Sequence, residues 1–227
     1  MCGIVGYVGP REATPILRAG LKRLEYRGYD SAGVALLNGE GVKVLKKPGK
    51  IRVLEEAIEA TPHEGTCGIA HTRWATHGAP NEPNAHPHTS AKGDIALVHN
   101  GIIENADVLR RQLESEGYHF TSETDTEVVV HLIDFLWKEG PLENAVAAAL
   151  REVDGAYGIA VVSSRDPNKI VVARNGSPLL IGVGQDGEML AGSDAAAVIE
   201  RTRDVVYLDD GDYAVLTPEG YWMYHLE

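Results

Sequence analysis

The sequence predicts an α+β domain built on antiparallel sheets. Three observations carry this. Beyond residue 155 the chain breaks into seven short apolar runs with brief connections, the pattern of antiparallel strands. Its helical periodicities cluster between 105 and 152 and do not alternate with strands. Near the start, two strand-like runs meet through Asn38-Gly39-Glu40-Gly41, a hairpin signal.

Taken in order, residues 2–8 are short, apolar and glycine-rich, and read as a buried strand close to another backbone. Residues 11–25 place Ile16, Leu17, Leu21 and Leu24 at helical spacing, with Arg18, Lys22 and Arg23 between them. A turn-rich stretch, Arg27-Gly28-Tyr29-Asp30, leads into the hairpin strands 31–37 and 42–46. Residues 50–60 read as a helix with Ile51, Leu54 and Ile58 on one face, and 66–72 as a strand. The segment 74–93, with Pro80, Pro83, Pro87 and three histidines, is the least regular part of the chain; a loop that long within a domain points to function. Strand 94–99 ends in Asn100-Gly101. Helices follow at 105–116, 125–138 and 142–152. The second opens on a capping box, Thr124-x-x-Glu127, and is apolar on nearly every side, so deep burial is expected. The closing strands are 156–163, 169–174, 179–183, 188–192, 205–208, 212–216 and 221–225, interrupted by a short helix at 194–201.

The 227 residues show no linker, repeat or low-complexity tract, so one domain over 1–227 is expected. Lys+Arg number 21 against Asp+Glu 33, a formal net charge of -12, which disfavours nucleic acid or an anionic membrane as partner. No apolar run approaches the roughly 18 residues of a membrane span, and no signal peptide is visible. Two cysteines are too few for a disulfide framework and fit a reducing, cytoplasmic setting.

Cys2 is the sharpest chemical feature. Residue 2 is small enough that removal of the initiator methionine is expected, leaving a thiol and a free α-amine on one residue. An amine with a reference pKa of about 7.7–8.0 accepts a proton near neutrality, and N-terminal nucleophiles use their own amine as base. The plain alternative is an inert cysteine at a strand start. Cys67, in the run Thr66-Cys67-Gly68-Ile69-Ala70, reads as a core residue. His71, His77, His86 and His88 suggest a metal only weakly, because their spacings match no common zinc pattern; loop packing or substrate gating is preferred. Arg73 suits a carboxylate or a surface salt bridge. Asn100-Gly101 is either a turn or an oxyanion hole, and Asp125 either a first-turn carboxylate or a partner for an ammonium group. The glycine-rich segments near 176–187 fit no nucleotide fingerprint, and no cofactor is expected.

Longer motifs carry a resemblance. Cys2-Gly3-Ile4-Val5-Gly6, Leu24-Glu-Tyr-Arg-Gly-Tyr-Asp-Ser-Ala-Gly33, Gly68-Ile-Ala-His-Thr-Arg-Trp-Ala-Thr-His-Gly78, Asn84-Ala-His-Pro-His88, Val98-His-Asn-Gly-Ile-Ile-Glu-Asn105 and Ser122-Glu-Thr-Asp-Thr-Glu127 stand in this order. Ala173-Arg-x-Gly-Ser-Pro-Leu179 and Gly192-Ser-Asp194 extend the match through essentially the whole chain. Together they resemble the glutaminase domain of the glutamine–fructose-6-phosphate aminotransferases, within the N-terminal-nucleophile glutamine amidotransferases. The resemblance implies a four-layer αββα sandwich of two antiparallel sheets, the N-terminal-nucleophile hydrolase fold. It implies hydrolysis of the L-glutamine side-chain amide through a Cys2 thioester. Asn100 and Gly101 would hold the oxyanion, while Arg27 and Gly28 would position the N-terminal residue. Arg73 would pair with the substrate carboxylate and Asp125 with its ammonium. Trp74, Thr76, His77 and His86 would line the pocket or order the closing loop. Implied partners are L-glutamine and a sugar-phosphate isomerase domain absent from this chain, in a homo-oligomeric full-length enzyme. The alternatives are the glutaminase domain of another amidotransferase, and a silent glutamine-binding module if Met1 is retained.

Overall fold

The computed structural model describes residues 2–27, 30–75 and 78–227. The strands, in chain order, are β1 Gly3–Val8, β2 Ser31–Asn38, β3 Gly41–Pro48, β4 Cys67–Arg73, β5 His88–Thr89, β6 Ile95–Asn100 and β7 Tyr157–Ser163, then β8 Ile170–Asn175, β9 Leu180–Val183, β10 Met189–Gly192, β11 Val205–Tyr207, β12 Asp212–Thr217 and β13 Gly220–His225. The helices are α1 Ala13–Leu24, α2 Ile51–Ala60, α3 Ala106–Ser115, α4 Asp125–Leu136 and α5 Leu142–Arg151. One sheet runs β11-β9-β10-β1-β4-β2-β3 and the other β13-β12-β8-β7-β6-β5, with antiparallel pairing between neighbouring strands.

Three apolar clusters separate four layers. Leu17, Leu21 and Leu24 of α1, with Ile51 and Leu54 of α2, pack on Val5, Tyr7 and Val34 of the first sheet. Ile4, Cys67 and Ile69 meet Val98, Val162 and Val172 between the sheets. Leu109, Leu113, Val129, Ile133 and Val146 of α3, α4 and α5 cover Ile95, Leu97 and Ile159 of the second. This is the αββα order.

Strand alternation places the site. On β1, Ile4 and Val8 face the other sheet; on β4, Cys67 and Ile69; on β6, Ala96 and Val98. With a side-chain period of two, the same faces continue into Cys2, into His71 and Arg73, and into Asn100. β1 and β4 are antiparallel neighbours, Gly3 opposite Thr72, so these polar ends coincide at one end of the sandwich.

Three expectations are corrected. The helix at 194–201 is a 3-10 turn, Ala195–Ala197, capped by the Asp194 carboxylate on the Ala196 N–H at 2.9 Å. Burying Ala197 and Val198 on the α1 side then forces a turn in which the Val198 carbonyl accepts from both Arg201 and Thr202. The loop 74–93 contains β5, too short to carry an alternation signal, which pairs with β6. The capping box is half formed: Thr124 Oγ1 accepts from the Glu127 N–H, but the Glu127 carboxylate takes the N–H groups of Thr121 and Ser122 and bonds His131 Nε2 at 3.0 Å. Burial would raise the Glu127 pKa; these donors outweigh it and hold the carboxyl at about 2.

Candidate active site

A cleft of about 320 Å³ opens where the polar strand ends converge. Cys2, Arg27, Arg73, Trp74, His86, Asn100, Gly101 and Asp125 are among the residues that line it. Eight of the eleven residues expected to form the site thus meet around one opening. Gly28, Thr76 and His77 lie outside the described residues.

Cys2 is partly buried just ahead of β1. The Trp74 N–H donates to its Sγ at 3.1 Å, and the thiol donates to the Trp74 carbonyl at 3.4 Å. Burial pushes the thiol pKa up, and the Trp74 N–H pulls it back. The carbonyl of Cys2 accepts from Asn100 Nδ2 at 3.1 Å. One backbone thus fixes the sulfur while a side-chain amide from the opposite sheet fixes the main chain beside it.

Gly101 follows with φ +120, and a Cβ there would lie 2.2 Å from the Ala156 carbonyl oxygen. Only glycine permits this close approach, which brings the main chain to the cleft wall. Arg27 donates to the Ser193 carbonyl at 3.2 Å and lies 3.5 Å from Asp194. Ser193 is bonded in turn to Ile4 of β1, so Arg27 is tied to the strand that carries Cys2. Arg73, almost fully buried, donates to the Ala79 carbonyl at 3.2 Å. Asp125 opens α4 and accepts from the Ile103 N–H at 2.8 Å; its other oxygen is 4.0 Å from His99 Nδ1. Arg73 and Asp125 therefore bring a cation and a carboxylate to the same cleft. Trp74 is half exposed at the rim.

His86 lies on a buried stretch of the 74–93 segment. Its ring stacks on His71 at 4.0 Å between centroids and meets His88 edge-on. A Cβ on Gly33 would come within 2.0 Å of the His86 carbonyl oxygen, so this glycine lets the segment lie flat on β2. Lys46 Nζ donates to the carbonyls of Ala85 and Pro87 on either side of His86. Burial holds the pKa of His71 down to about 3 and those of His86 and His88 well below the imidazole range. Among the described residues no group of three His, Cys, Asp or Glu side chains is arranged to hold a metal ion. Cys67 is buried in the core as expected, and burial pushes its thiol to about 12.

Sequence reasoning gave no site role to His99, Thr126, Ser177 or Pro178, all of which line the cleft. Ser177 and Pro178 sit inside a recognised motif whose role was not assigned. His99 and Thr126 also lie inside recognised motifs, Val98–Asn105 and Ser122–Glu127, without an assigned role.

A model of a glutamine amidotransferase domain matches residues 71–200, more than half of the chain. The chain belongs to the glutamine amidotransferase family. The chain is 59% identical over 233 residues to the glutamine--fructose-6-phosphate aminotransferase [isomerizing] of Chlorobaculum tepidum, covering all of this chain and 38% of that protein. It is 54% identical over 227 residues to the protein of the same name from Thermus thermophilus, covering 37% of it. The chain thus spans less than two-fifths of the length of these curated relatives. Among solved structures, the glutamine phosphoribosylpyrophosphate amidotransferase of B. subtilis superposes with a TM-score of 0.86 at 29% identity, over all of this chain and 49% of that one. A glutamine aminotransferase class-II domain protein from Silicibacter pomeroyi, at TM-score 0.66 and 15% identity, shares the fold. In the described residues no helix is long and apolar enough to cross a membrane.

Proposed function

We propose that this chain hydrolyses the side-chain amide of L-glutamine to glutamate and ammonia, with Cys2 as nucleophile. The carrying observation is the Cys2 sulfur, held by Trp74 at the mouth of a cleft that also presents the Asn100 amide, Arg73 and Asp125. A zwitterionic substrate needs one cation and one anion set apart; Arg73 takes the α-carboxylate and Asp125 the α-ammonium. That binding carries the substrate amide to Cys2. With Met1 removed, the α-amine of Cys2 accepts the thiol proton as sulfur attacks the amide carbon. Negative charge then builds on the amide oxygen. Asn100 Nδ2 carries two hydrogens, one engaged by the Cys2 carbonyl, and with the Gly101 N–H it stabilises that charge. The amine returns its proton to the departing ammonia, leaving a glutamyl thioester. Water attacks this thioester and releases glutamate and the free thiol. Arg27, through Ser193 and β1, holds the N-terminal residue in place. Trp74 and His86 line the pocket.

The names of the relatives extend the reading. We propose that residues 1–227 form one glutaminase domain of a longer, homo-oligomeric cytoplasmic enzyme, and that its ammonia aminates fructose-6-phosphate on a sugar-isomerising part. The test is glutamate release by purified protein whose intact mass shows loss of the initiator methionine. Release should fall to background in Cys2→Ala, and activity retained by that variant would sink the mechanism. A mass that includes Met1, with glutamine bound and no glutamate formed, favours a silent glutamine-binding module instead.

A further inference from the structure

His71 has no role in the chemistry above, yet it reaches from β4 of one sheet to β6 of the other. It is fully buried, with Nε2 3.0 Å from Asn100 Oδ1 and 3.1 Å from the carbonyl oxygen of His99. A main-chain carbonyl only accepts hydrogen bonds, so the imidazole hydrogen resides on Nε2. Nδ1 has no hydrogen-bond partner, and the His86 ring stacks on the imidazole. Burial keeps the ring neutral, with a pKa of about 3. His71 therefore presents one hydrogen, in one direction, to the Asn100 amide.

That hydrogen discriminates between the two orientations of the amide. With Oδ1 toward His71, Nε2–H donates to it and Nδ2 faces the Cys2 carbonyl at 3.1 Å. Turned by 180°, the NH2 group would oppose a donor, and the amide oxygen would face both the Cys2 carbonyl and the growing oxyanion. The two orientations have nearly the same shape, so packing does not choose between them. We propose that His71 is a positioning residue that locks the Asn100 amide with its hydrogens toward Cys2, so that the oxyanion donor is in place before substrate arrives. The inference rests on the glutaminase reading, with Asn100 as the oxyanion donor.

The experiment compares His71→Gln, which keeps an N–H donor at similar reach, with His71→Met and His71→Asn, which lack the donor or the reach. Loss of the lock should lower kcat for glutamate release about 10–100-fold, part of the 10²–10³ lost with a whole oxyanion donor. KM should stay within about twofold, because Arg73 and Asp125 are untouched. His71→Gln should restore kcat to within a few-fold of wild type. In an Asn100→Ala background, His71→Met should cost nothing more in kcat. Side-chain amide NMR signals of Asn100, assigned by their loss in Asn100→Ala, should form one sharp pair in wild type and His71→Gln. They should broaden or split in His71→Met, or in His71→Asn if the methionine variant does not fold. Equal kcat in all three variants, additive losses with Asn100→Ala, or an unchanged amide pair in the Met and Asn variants each overturn the inference. An inactive wild type that still shows the amide signature supports the lock and refutes the glutaminase reading instead.

Discussion

The inner face of β4 changes character halfway along the strand. At one end Cys67 and Ile69 pack into the dry space between the sheets; at the other His71 and Arg73 point into the same gap. All four are buried and share one backbone geometry and one face. What differs is the opposite wall. Cys67 looks at apolar neighbours and donates weakly to the Lys169 carbonyl at 3.7 Å, whereas His71 meets the Asn100 amide. The two cysteines repeat the contrast. Burial raises the pKa of both thiols, to about 12 for Cys67, and a backbone hydrogen bond pulls each back, from Trp74 at Cys2 and from Lys169 at Cys67; Cys2 differs in lining the cleft, where the charge of Arg73 also lowers its pKa. Burial and a backbone hydrogen bond do not make a nucleophile; a cleft open to substrate, with the Asn100 amide and Arg73 beside the sulfur, is what the polar end adds.

Removing the Asn100 amide should produce the largest separation between the two ends. Asn100→Ala is expected to lower kcat for glutamate release by roughly 10²–10³ while the protein stays folded. Steady-state kinetics beside a thermal melt check this. An unchanged kcat would remove Asn100 from the oxyanion site and leave it as a tether on the Cys2 carbonyl.

Acid should distinguish the ends next. His71, His86 and His88 are held neutral by burial, facing Arg73, Lys46, Glu127 and His99. Their folded pKa values lie below the unfolded value of about 6.5, so as pH falls the unfolded chain takes up protons first. Stability is therefore undiminished above about pH 6.5 and declines from there toward the folded values, by roughly 1.4 kcal/mol per pH unit for each histidine kept neutral. Urea midpoints at pH 7.5 and 5.5 measure it. A midpoint that does not move would mean that the cluster accepts protons while folded.

The same contrast explains what could be read from the sequence. The apolar end was fully legible, because alternation and helical spacing report burial directly: strands at 2–8, 66–72 and 94–99 and the helix faces of Leu17, Leu21 and Leu24 stand where the pattern put them. The polar end was legible only through motifs. Cys2, Arg73, Asn100 and Asp125 are far apart in sequence, and only the antiparallel neighbours β1 and β4, with β6 across the gap, bring them together. His71 stood in the open as a histidine in a strand, and continuing the parity of Cys67 and Ile69 would have turned it toward Asn100. The reciprocal half of the capping box failed for a similar reason. Glu127 had nearer main-chain donors at Thr121 and Ser122, which a four-residue motif does not contain.

The smallest effect belongs to the apolar end. Cys67→Ala removes one buried heavy atom, comparable to a methylene, and breaks a weak thiol bond to Lys169. The expected cost is about 1 kcal/mol, combining lost transfer energy with a small residual void. In a chain of this size that lowers Tm by about 2–4 °C. Glutamate release should stay at the wild-type rate, because Cys67 stands opposite Val8, at the far end of β1 from Cys2. Differential scanning fluorimetry beside the same assay reads both numbers. A loss of turnover at unchanged Tm would show that the two halves of β4 communicate, and the division between a packed end and a reacting end would have to be redrawn.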